Sequence, residues 1–160
     1  MKVFQIIAYL TLSANAAHAL STLDPVQSIN ADAIIAQAKK DNVGALGCEV
    51  AITTGLSQTG LKILANKRVP SSQKYKHDDF GSQGDSIGIF QQSARKYKDI
   101  ACLMKADCSA SLFFKDLKTL EGWENMTTKD LVLSVNRGGT PAAFLKYISQ
   151  ARNVCKAGGL

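Results

Sequence analysis

The sequence predicts a small, mainly helical domain with one long loop between its halves. Three observations carry that reading. Apolar residues recur at helical spacing behind capping residues on both sides of the chain's middle. Between them, residues 62–84 turn polar and carry Pro70, Ser71 and Ser72. Loops of that length in a compact domain usually have a function. The four cysteines, Cys48, Cys102, Cys108 and Cys155, make an even count, which in an exported chain reads as two disulfides.

The first residues set the compartment. Lys2 precedes the apolar run Val3 to Leu12, and Ala17-His18-Ala19 is a small-residue cleavage signal. Residues 1–19 therefore read as a secretory signal peptide, too short and wrongly flanked for a membrane span. The expected product is an extracellular domain over 20–160, long enough to bury a real core, with no repeat or internal boundary. Loss of Lys2 takes the formal net charge from +6 to +5. That mild, dispersed excess aids solubility and favours anionic surfaces such as bacterial envelopes. No basic and aromatic pattern of a nucleic-acid module accompanies it.

Four cysteines allow three pairings. A local Cys102–Cys108 bridge is the preferred one, which leaves Cys48 for Cys155. That second bridge would close most of the chain, contributing about 4–5 kcal/mol by constraining the unfolded state. With His77 the one histidine of the exported part and no CxxC pair, neither a metal site nor a cofactor is expected. Asn125-Met126-Thr127 is an acceptor sequon for glycosylation at Asn125.

The elements follow in order. Asn30 or Asp32 is expected to cap a helix bearing Ile34, Ile35 and Ala38 as far as Lys40. Gly44 and Gly47 loosen the join to a buried helix over about 45–56, with Cys48, Ile52 and Leu56 on one face. Ile87 to Phe90 reads as a short strand or extended anchor. Ser109 introduces a stripe of Leu112, Phe113, Leu117 and Leu120 that ends at Gly122. Thr127 with Asp130 resembles a capping box. Thr140-Pro141 places proline at the first position of a helix carrying Phe144, Leu145 and Ile148.

The stretch 78–92, DDFGSQGDSIGIFQQ, holds most of the chemistry. Gly81, Gly84 and Gly88 permit unusual backbone and close ligand approach. Ile87, Ile89 and Phe90 pin the segment to a core, while Asp85, Gln91 and Gln92 offer polar groups. A polar loop on an apolar anchor suits recognition of something rich in hydroxyls and amides, such as a sugar chain.

Four segments, AITTGLSQTGL, the loop ANKRVPSSQKYKHDDFGSQGDSIGIFQQ, CSASLFFKDLKTLEGW and SVNRGGTPAAF, occur in this order. Together they resemble a group of secreted fungal and actinobacterial proteins with a lysozyme-like fold, distantly similar to goose-type lysozymes and lytic transglycosylases. The resemblance spans nearly the whole exported chain, and GDSIGIFQQ is its most specific piece. It implies a cleft lined by a Gly-x-x-Gln element and a substrate among amino-sugar polymers, peptidoglycan above all.

Cleaving a glycosidic bond requires a carboxylic acid that protonates the leaving oxygen. In the family that acid is a glutamate closing the helix before the long loop. Here the matching tripeptide is Gln58-Thr59-Gly60, and an amide cannot serve as that acid. General acid catalysis contributes ~10²–10⁴-fold, so its loss leaves little activity. Glu49, nine residues upstream, falls on roughly the opposite helix face, about 13 Å away along the axis. Asp85 is the better-placed substitute; its ordinary role would be a cap or turn acid.

Asn136-Arg137-Gly138 stands where the family commonly has Gln-Arg-Ser. Gln91, Gln92 and Asn136 are candidate glycan ligands, and Tyr75 and Tyr97 candidate stacking platforms. Trp123 reads as core or lid. Asp78 and Asp79 read as solvated loop charges. One histidine and oxidised cysteines leave no serine or cysteine triad. The expectation is a secreted glycan-binding protein with hydrolysis lost or impaired. The alternatives are a weak muramidase using Asp85, and an effector or antimicrobial that binds a host or competitor protein.

Overall fold

The computed structural model describes residues 22–136 and 139–160. The expected signal peptide, Arg137 and Gly138 lie outside the described residues.

Helix α1 spans Pro25–Lys40. Its cap is Asp24, not Asn30 or Asp32: the Asp24 carboxylate accepts from the Gln27 N–H at 2.8 Å, and the Gln27 side chain accepts from the Asp24 N–H at 2.9 Å. Pro25 sits where a helix tolerates it, at the first position. Asn30, inside the helix and buried, is committed to tertiary bonds instead. Helix α2 spans Gly44–Thr59 and ends on Gly60 in a left-handed conformation. Gly47 lies within α2, where any Cβ would overlap the Val43 side chain at 2.4 Å.

The long loop carries structure of its own. Strand β1, Leu64–Asn66, pairs in parallel with β2, Asp79–Gly81, Leu64 opposite Asp79. A 3₁₀ turn at Pro70–Lys74 lies between them. Strand β3 is only Ser86–Ile87; it pairs antiparallel with β4, Gln92–Ser93, so Gly88 to Gln91 form the bend.

Two single-turn helices follow, α3 over Ala94–Tyr97 and α4 over Ile100–Leu103. Helix α5 spans Ala106–Leu117, beginning before Ser109 and ending before Gly122. Ser109 is buried inside it, and Gly122 leads a 3₁₀ turn at Trp123–Asn125. Thr127 caps α6, Thr128–Val135, by accepting from the Asp130 N–H at 3.1 Å. Pro141 opens α7, Pro141–Leu145, but Thr140 makes no side-chain cap bond, and α8, Ile148–Ala157, is a separate helix. The expected Phe144–Ile148 stripe is thus split across a turn in which the Tyr147 N–H reaches the Phe144 carbonyl at 2.9 Å.

Helix α2 is the axis of the molecule. Cys48 and Val50 through Leu56 are buried, and α1, α5, α6, α7 and α8 all pack on it. The main core gathers Ile34, Ile52, Phe114, Leu131 and Val154 around it; each such fully buried side chain contributes about 1.5–3 kcal/mol. A second cluster, Ala65, Val69, Ile87, Leu103 and Met104, holds the loop down against α4. Cys48–Cys155 fastens α2 to α8, and Cys102–Cys108 fastens α4 to α5. The fold is mainly helical with both expected disulfides. Among the described residues no helix is long and apolar enough to cross a membrane.

Candidate functional site

The C-terminal turn of α2 is clamped on both sides. Ser57 Oγ donates to the Ala143 carbonyl of α7 at 3.0 Å. Thr59 Oγ1 is shared between the Gly55 carbonyl of its own helix, 3.1 Å, and the Ile89 carbonyl of the bend, 2.9 Å. Gly60 caps the helix, and its carbonyl accepts from Gln27 Nε2 of α1 at 2.9 Å. Gln58 stands between these anchors, partly exposed, its amide in no hydrogen bond among the described residues. The helix end and the Gly88–Gln91 bend therefore meet at Thr59, and the spare amide belongs to the residue before it.

The bend is itself constrained. Gly88 has φ +75°, and a Cβ there would sit 2.1 Å from the Leu103 carbonyl oxygen. The space next to Gly88 is thus filled by backbone rather than left for a ligand. Gln91 adopts φ +51°, uncommon without glycine, and its Nε2 donates back to the Gly88 carbonyl at 3.0 Å. Its side chain stays partly exposed on the bend.

Asp85 has its carboxylate taken up locally. Oδ2 accepts from Ser93 Oγ at 2.7 Å, from the Arg95 N–H at 2.9 Å and from Arg95 Nε at 3.2 Å. The Arg95 N–H, then the Ser93 hydroxyl, hold its pKa down at about 2 against an ordinary 3.8. It is ionised at neutral pH, so it can accept a proton or hold a charge but cannot donate one. This is the cap-and-turn role, joining β3 to the start of α3. Glu49 is spoken for elsewhere: it accepts from Thr128 Oγ1 at 2.7 Å and Arg152 Nε at 3.2 Å, on the α6–α8 side of the helix.

Other candidates divide by surroundings. Gln92 is buried, and its Nε2 donates to the Ser109 carbonyl at 3.2 Å, so it links β4 to α5 rather than facing solvent. Asn136 donates to Thr54 Oγ1 at 2.9 Å and the Val132 carbonyl at 2.8 Å, tying the end of α6 to α2. Tyr97 bonds Asp116 through its hydroxyl and carries the Lys96 ammonium 4.6 Å from its ring centre. Burial and the Asp116 carboxylate raise the Tyr97 pKa. Tyr75 is exposed. Trp123 is buried in the core, and Asn125 is exposed beside it.

Asp78, read from sequence as a hydrated charge, is structural: Oδ2 accepts from the Ile63 N–H at 2.8 Å and from Asn30 Nδ2 at 3.1 Å. Sequence reasoning missed Ser57, Thr59, Gln27 and Asn30 as the frame around Gln58. Nothing local marks that role, since each plays it through a partner 30 or more residues away. Among the described residues no cluster of histidine, cysteine or carboxylates suits a metal ion. No protein-family model matches the chain, and no curated protein matches it at a significant level.

Proposed function

We propose that this is a secreted protein of lysozyme-like fold that binds amino-sugar polymers such as peptidoglycan without cutting them. The observation that carries the reading is Gln58. It stands at the clamped end of α2, between Ser57 and Thr59, where the resemblance expects the acid that cleaves the bond. Gln58 and Gln91 would hydrogen-bond the acetamido and hydroxyl groups of the chain, and exposed Tyr75 would offer a ring face. Asp85, held ionised, cannot replace a missing general acid, which argues against residual hydrolysis by that residue.

Insoluble peptidoglycan and chitin test the binding directly: the protein should sediment with at least one of them. Retention by neither removes the glycan reading. Purified bacterial walls should release no muropeptides with the unaltered chain and measurable muropeptides with Gln58→Glu. Clear turnover by the unaltered chain that vanishes in Asp85→Ala would establish a hydrolase instead. A second reading, docking to a protein, draws on Ile29 and Phe80, which are 68% and 48% exposed.

A further inference from the structure

An open cleft of about 590 Å³ lies at the open end of the β3–β4 hairpin, the end away from the bend, lined chiefly by Arg68, Val69, Pro70, Gly84, Asp85 and Arg95. Its two walls are joined by one buried side chain. Asn66 is 1% exposed; its Nδ2 donates to the Gly84 and Ser86 carbonyls at 3.2 and 3.0 Å, and its Oδ1 accepts from the Arg68 N–H at 2.9 Å. Ser72 tightens the same wall: its Oγ accepts from the Asn66 N–H at 3.0 Å and donates to the Val69 carbonyl at 2.7 Å. The cleft is therefore a fixed shape and not a gap between loose loops.

Its charge is unbalanced. Two guanidinium groups face one carboxylate. Asp85 engages only Nε of Arg95, which leaves the terminal amino groups of that residue unused. Arg68 joins no ion pair among the described residues. Asp85 already accepts three hydrogen bonds on one oxygen, so it orients Arg95 more than it neutralises the cleft. Planar guanidinium forks match carboxylates in paired hydrogen bonds. The wall is also connected to the spare amide: Asp85 is four residues, at most about 14 Å of chain, from Ile89, whose carbonyl bonds Thr59, the neighbour of Gln58.

We infer that this cleft is a carboxylate subsite, in which Arg68 and Arg95 take an anionic substituent of the same polymer that lies along Gln58. The inference rests on the glycan reading above and narrows it: the preferred ligand is an amino-sugar chain bearing carboxyl groups, not a neutral one. In peptidoglycan those are the stem-peptide carboxylates, and the lactyl carboxylate wherever no stem peptide is attached.

Calorimetric titration with three soluble probes tests it. These are a neutral N-acetylglucosamine tetramer, a peptidoglycan glycan fragment of equal length with free carboxyls, and that fragment with its carboxyls amidated. The carboxylated fragment should bind about tenfold or more tighter than the other two, as charge-assisted hydrogen bonds imply, and rising salt should shrink the difference. Arg68→Gln should lower that preference, and Arg68→Gln with Arg95→Gln should abolish it while the neutral tetramer binds as before. The exposed Arg68 side chain, free of ion pairs, makes the single variant a safe one to fold. Equal binding of all three probes, or a preference that survives in the double variant, overturns the subsite and leaves the glycan reading standing. Binding of none of them overturns both.

Discussion

Gln58 and Asp85 are both polar residues near the bend, yet their surroundings give them opposite characters. Gln58 has no partner to lose, so Gln58→Glu should change stability by no more than about 0.5 kcal/mol. Thermal unfolding at neutral pH checks this, and it makes the wall-lysis comparison a test of chemistry alone. Asp85 accepts three hydrogen bonds on Oδ2, and its folded pKa of about 2 lies below the ordinary 3.8. Its contribution to stability is complete above the unfolded pKa and is lost as pH falls through the folded one. The chain should therefore lose stability between about pH 4 and pH 2, and Asp85→Asn should show a shallower loss over that window. Melting curves at pH 2, 3, 4 and 6 decide it; parallel curves for the two proteins would refute the assignment.

At the scale of elements, the bend is fixed by contacts that come from far along the chain. Gly88 needs a left-handed backbone and lies against the Leu103 carbonyl, so no side chain fits. Gly88→Ala should cost about 2–4 kcal/mol, from the left-handed conformation and from the displaced backbone together. Chemical denaturation measures it. Thr59→Val removes the shared hydrogen bond to Ile89 and should cost about 1 kcal/mol while loosening the bend from α2. The spacing of Gly88 and Gln91 was legible in the sequence. The neighbour that makes the glycine necessary was not, because Leu103 is fifteen residues on and nothing in its identity points back.

For the whole molecule, the two disulfides differ in reach. Cys48 and Cys155 are separated by 107 positions, Cys102 and Cys108 by 6. Constraint of the unfolded chain grows with the logarithm of loop length. Replacing Cys48 and Cys155 with serine should therefore cost about 5 kcal/mol, and replacing Cys102 and Cys108 about 2 kcal/mol. Equilibrium denaturation of the two double variants checks the order; the reverse order would show that the long bridge is offset elsewhere. Beyond this, α2 is legible as a buried helix from Cys48, Ile52 and Leu56 on one face, and the structure buries Val50 through Leu56 all round, as a central element requires.

The sequence by itself determined the helical class, a buried second helix, an even cysteine count fit for two bridges, the Thr127 cap and the amide at Gln58. Each of these depends on neighbours within a turn or two, on residue counts, or on one residue's own chemistry. Only the tertiary structure decided that Asp24 starts α1, that Gln92 is buried and Asn136 bonds to α2, that Asp78 is structural, and that Arg68 and Arg95 share a cleft. Those outcomes depend on which buried donor finds which carbonyl or carboxylate across long separations. Such choices are settled by leaving as few buried polar groups as possible without a partner, and local propensity carries no record of them.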